Sequence, residues 1–109
     1  MSVNVDQLLQ QMLAAGAQAF GAGWKEVQKF ATLEFKTLAQ RIADIGDGLA
    51  RGDFDLATAK LLTAMQVNTA TAAIAGATTL VMLAVEAAIN AVIGAIKEAV
   101  NAAVGAALL

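Results

Sequence analysis

The sequence has no cysteine, proline, histidine or tyrosine. Without cysteine there is no disulfide and no thiolate, and without histidine there is no imidazole ligand and no proton shuttle near neutral pH. The same absences remove Cys–His and Ser–His nucleophile systems and the Glu-x-x-His pairs of carboxylate metal bundles. Charge is scarce as well: 15% of the residues are charged, against about 25% in an average soluble domain. A net charge of −2 supplies no basic face for nucleic acid.

What is present is apolar. Of 109 residues, 59% are hydrophobic, which excludes intrinsic disorder, and the length suits one domain. The charges are unevenly placed, because residues 61–109 carry only Glu86, Lys97 and Glu98. A helix that is apolar almost all round is buried in a larger assembly or in lipid. The start of the chain lacks the basic and apolar blocks of a signal peptide, so the expected location is the cytoplasm or a macromolecular assembly, with membrane association as the rival.

Helical spacing dominates the first half. Asn4 with Gln7 forms a capping pattern, and Val5, Leu8, Leu9, Met12, Leu13 and Phe20 give a helix over 5–20. Gly21-Ala22-Gly23 is a bend. A second helix over 24–50 presents the seam Trp24, Val27, Ala31, Phe35, Leu38, Ile42, Ile45 and Leu49. Trp24 reads as a core or staple residue, with an interfacial membrane anchor as the alternative. Arg51-Gly52-Asp53 is an adhesion tripeptide elsewhere. Here Gly52 suits a left-handed helix end, and Asp53 or Asp55 suits the next helix start.

Residues 54–109 form a long alanine-rich helix, either continuous or broken within Asn68–Thr79. Unbroken, it would span about 84 Å, far more than the first two helices can cover, so a partner is required. On a helical wheel Asn68, Thr79, Glu86, Asn90, Lys97 and Asn101 fall in one polar stripe. Val81, Val85, Ile89, Val92, Ile96, Val100 and Val104 form the opposite ridge. Val85, Ile89, Val92, Ile96 and Val100 of that ridge, with the small residues Ala77, Ala84, Ala88, Ala91 and Ala95, are the expected oligomer interface.

The expected architecture is all-α: two shorter amphipathic helices on one long, straight or kinked, apolar helix, completed by self-association. No catalytic, metal-binding or cofactor-binding residues are expected. Asp44, Asp47, Asp53 and Asp55 lack the spacing of a calcium loop, and no phosphate-binding glycine motif occurs. The expected function is a non-enzymatic self-assembling structural protein whose partner is itself, with no nucleic acid and no small-molecule substrate. The alternative is a membrane-active or pore-forming oligomer lined by the Asn68–Asn101 stripe. Glu86 decides between them, as a pore carboxylate or as the wet edge of a bundle. Leu61–Val85 and Ala72–Ile96 are the two borderline spans.

Overall fold

Asn4 opens the first helix. In the computed structural model, which describes residues 3–109, its side-chain oxygen accepts the Gln7 N–H at 3.0 Å. That bond satisfies one of the N–H groups a helix start leaves unpaired. Helix α1 spans Val5–Phe20 and buries Leu8, Met12 and Gly16. Gly21, at φ 56°, leads through a 3-10 turn at Gly21–Gly23 into α2, Trp24–Arg51. The α2 seam points inward: Val27, Ala31, Phe35, Leu38, Ile42 and Ile45 are buried, and Trp24 and Leu49 are half-buried.

The Arg51-Gly52-Asp53 turn is capping structure. Gly52 takes φ 78° and its N–H bonds to the Leu49 carbonyl at 3.1 Å, while the Asp53 N–H bonds to the Gly48 carbonyl at 2.9 Å. This is a Schellman-type closure, which favours glycine because a side chain is strained there. Arg51 pairs with Asp53 at 3.0 Å. Asp55 then accepts the Thr58 N–H at 2.8 Å and starts α3, Leu56–Ala77.

The second half of the chain is broken. Helix α3 ends at Ala77, Thr78 and Val81 are extended, and α4 runs over Met82–Val104. Two adjacent β-branched threonines lower helix propensity at this point. Side chains bond on both sides of the break. The Thr78 hydroxyl donates back to the Ile74 carbonyl at 3.0 Å, and the Thr79 N–H donates to the Glu26 carboxylate at 3.2 Å. The 84 Å helix therefore does not exist, and with it goes the length argument for a partner. At 1.5 Å per residue α3 and α4 are each about 33–35 Å long, within the 41 Å long axis of the molecule.

The helices run up-down-up-down in a ring. α1 packs on α2 and α4, α3 packs on α2 and α4, and the diagonal pair α2 and α4 scarcely meet. Phe35, Met12, Ile42, Ile74, Ile89 and Ile96 are the largest fully buried side chains, drawn from all four helices. Gly16 is required by packing: a Cβ there would lie 2.9 Å from both the Phe35 and Trp24 rings. The folded chain exposes 6014 Å², close to the roughly 5,700 Å² of a compact monomer of this mass. Its core is closed by its own four helices.

Candidate functional site

The break redistributes the residues expected at an interface between copies. Val85, Ala88, Ile89, Val92, Ile96 and Val100 are all buried in the chain's own core. The ridge that needed a neighbour on a single long helix finds one in α1, α2 and α3 instead. Of the small residues in that set, Ala77, Ala84, Ala91 and Ala95 stay exposed. Ala99 and Ala103 line, with Leu8 and Gln11, a pocket of about 100 Å³ between α4 and α1.

The polar stripe is folded onto itself. Because α3 and α4 are antiparallel, Asn68 on α3 comes beside Glu86 and Asn90 on α4. With Val67, Thr71, Ala72 and Met82 they line an open cleft of about 350 Å³. It continues into a second cleft of about 390 Å³, lined in part by Asn68, Asn90, Ile93 and Leu108. Glu86 is exposed and takes part in no ion pair; Arg51–Asp53 is the only ion pair among the described residues. The cleft offers one carboxylate, two carboxamides and the Thr71 hydroxyl, which already donates to the Val67 carbonyl at 2.9 Å. That set can hydrogen-bond a polar group but has no convergent nucleophile and base.

The rest of the stripe goes elsewhere. Lys97 is exposed further along α4. The Asn101 amide clasps the end of the chain, accepting the Leu109 N–H at 2.9 Å and donating to the Leu109 carbonyl at 3.3 Å. This brings Leu108 into the core. Thr79 turns away to α2, where both its N–H and its hydroxyl donate to the Glu26 carboxylate. Those bonds hold the Glu26 pKa below its ordinary value, the hydroxyl bond contributing most. The Thr58 N–H, and then its hydroxyl, do the same for Asp55.

Both apolar windows considered as membrane spans, Leu61–Val85 and Ala72–Ile96, contain the break. No helix among the described residues is long and apolar enough to cross a membrane. Nor do the described residues gather three or more carboxylates where a metal ion would sit.

The fold shows two features that helical periodicity did not reveal. One is the Glu26–Thr79 tie, which joins residues too far apart in sequence for a wheel to relate. The other is the exposure of Val81, Met82 and Leu83. Periodicity puts Val81 on the apolar ridge, yet it stands exposed at the N-cap of α4. No family model matches this sequence, and neither a curated protein nor a solved structure is similar to it.

Proposed function

We propose that this chain is a non-enzymatic helical bundle that works by associating with copies of itself as a structural element. The observation that carries this reading is the outer face of α3. Leu61 and Met65, one turn apart, are 61% and 53% exposed, and Ala64, Ala72, Ala73 and Gly76 are exposed on the same helix. Its only charged residue is Lys60. Asn68 and Thr69 are also exposed there, so the apolar part is a patch around Leu61 and Met65, and an exposed apolar patch suits an interface.

Charge placement supports the same face. More than half of the charged side chains sit on α2, which lies diagonally across the bundle from α4. Burying α2 would strip water from those charges, so the Leu61 and Met65 patch of α3, away from Glu86 on α4, is less costly to cover. Leu61 and Met65 are already partly buried, so covering what remains contributes about 1–2 kcal/mol each. Association costs about 4–15 kcal/mol, so the two residues on both copies offset it only together with the alanine surface around them. The surrounding alanines let the backbones come close.

Sedimentation velocity or native mass measurement at micromolar concentration tests this. Wild type is expected as a multiple of 11.1 kDa. Leu61→Gln combined with Met65→Gln is expected to give the monomer with helix content unchanged. A wild-type monomer overturns the proposal.

A further inference from the structure

The two helix corners at one end of the bundle make an apolar pole. The α1–α2 corner, Phe20–Trp24, and the α3–α4 corner, Thr78–Leu83, adjoin each other: a Cβ on Gly23 would lie 3.4 Å from Leu80, and Glu26 holds Thr79. Each corner falls in a charge-free stretch, one between Asp6 and Lys25 and the other between Lys60 and Glu86. The opposite end carries Arg51, Asp53 and Asp55.

The α3–α4 corner breaks two local rules. Corners between helices are normally polar, yet Val81, Met82 and Leu83 are 69%, 46% and 77% exposed in succession. Such a run costs solubility unless something covers it. Val81 also occupies the N-cap of α4 and supplies no side-chain cap bond, whereas α1 and α3 are capped by Asn4 and Asp55. An apolar residue therefore stands, exposed, where a capping side chain would stabilise the helix start.

We infer that this pole is a lipid-surface contact, with Val81, Met82 and Leu83 inserting shallowly into the interface of a bilayer. Area decides between occupants. A stable protein interface engages about 20–30 residues a side, and the pole offers only the two short corners. Shallow insertion needs only a few apolar side chains. The charges beside the pole balance, Lys25 and Lys29 against Glu26 and Glu86, so the contact rests on apolar insertion. The two lysines are exposed and carry no ion pair, and their stems reach past the apolar patch toward phosphate head groups. The Glu26 carboxylate is turned onto Thr79, which also fixes the corner's orientation. Trp24 packs its ring over buried Gly16 and lies 6.0 Å from Phe20 between ring centroids, so it borders the pole as a reporter rather than as an anchor.

Flotation with vesicles of phosphatidylcholine and phosphatidylglycerol tests the inference, and Trp24, the only tryptophan, reports from the pole itself. Wild type is expected to float with the vesicles, with Trp24 emission shifted to the blue and quenched by brominated lipid. Val81→Ser with Leu83→Gln is expected to weaken partitioning at least about tenfold, with the circular dichroism of the folded protein retained. Leu61→Gln with Met65→Gln, remote from the pole, is expected to bind as wild type does, so a failure of self-association is read separately. Absence of wild-type binding at millimolar lipid overturns the inference, as does equal loss in both variants. A change in particle mass on altering the pole without lipid overturns it too, since the pole is then a contact between copies.

Discussion

The Glu26 carboxylate, in the first turn of α2, accepts two hydrogen bonds from Thr79, a residue 53 positions further along the chain. This one side chain ties the α3–α4 corner to the α1–α2 corner and satisfies an N–H that the broken helix leaves free. The tie is exposed, so its effect depends on the charge of a carboxylate that water can reach.

That dependence gives a pH prediction with a definite sign. Bonding to Thr79 lowers the Glu26 pKa from its ordinary 4.5, so the folded state favours the charged form. The resulting stability is fully present above the unfolded value and is lost as pH falls through the folded one. Asp55 acts in the same direction through Thr58. Denaturation midpoints should be insensitive to these groups at neutral pH and should fall below about pH 4.5. Glu26→Gln should flatten part of that acid limb, and the Thr79 amide resonance of wild type should titrate with Glu26. An unchanged acid limb in the variant would assign the loss to other carboxylates.

Val81→Ser should stabilise the fold. The backbone at Val81 is extended, as an N-cap requires, and no side chain bonds to the first turn of α4. A serine hydroxyl there should add about 0.5–2 kcal/mol, seen as a rise in the thermal midpoint of several degrees. Val81→Ala, which removes the exposed valine without adding a cap, should show no such rise.

Glycines at two sites should respond oppositely to alanine. At Gly94 nothing lies within 4 Å of an added Cβ, so Gly94→Ala should raise monomer stability by about 0.5–1 kcal/mol through helix propensity. At Gly16 the Cβ would meet Phe35 and Trp24 at 2.9 Å, and Phe35 is fully buried. Overpacking of about 1–3 kcal/mol should outweigh the propensity gain, leaving Gly16→Ala destabilised by about 1 kcal/mol. Denaturant titration of the two variants measures the contrast.

Local signals in the sequence were legible. Asn4, Gly52 and Asp55 are short-range caps whose chemistry is complete within four residues, and the α2 seam is a periodic pattern read without knowing its partners. The second half was harder because periodicity there is ambiguous. Threonine tolerates a helix by donating back to its own turn, as Thr63, Thr69 and Thr71 do, so Thr78 and Thr79 did not by themselves mark a break. In the fold Thr79 bonds to Glu26, on another helix, instead of to its own turn. The assignment of Val85, Ile89 and Ile96 to an interface followed from that ambiguity: a ridge on an 84 Å helix needs another molecule, while the same ridge on a folded-back helix meets its own chain. The polar residues behaved similarly. Asn68, Glu86 and Asn90 share a wheel angle and do come together, but through an antiparallel turn rather than along one face.

Two alanines on α4, seven residues and so nearly two turns apart, share a wheel angle but not burial. Ala88 is buried in the core and Ala95 is exposed. Ala88→Leu forces three further carbons into a closed interior and should cost about 1–3 kcal/mol, lowering the stability of the chain at any concentration. Ala95→Leu adds the same carbons in open solvent and should leave monomer stability within about 0.5 kcal/mol. If copies associate over the α4 surface that includes Ala95, that variant should instead change particle mass, through a leucine that holds the backbones apart. Denaturation at low concentration, paired with sedimentation at high concentration, separates the two effects. A stability loss at Ala95 equal to that at Ala88 would mean that the outer face of α4 is part of the folded interior.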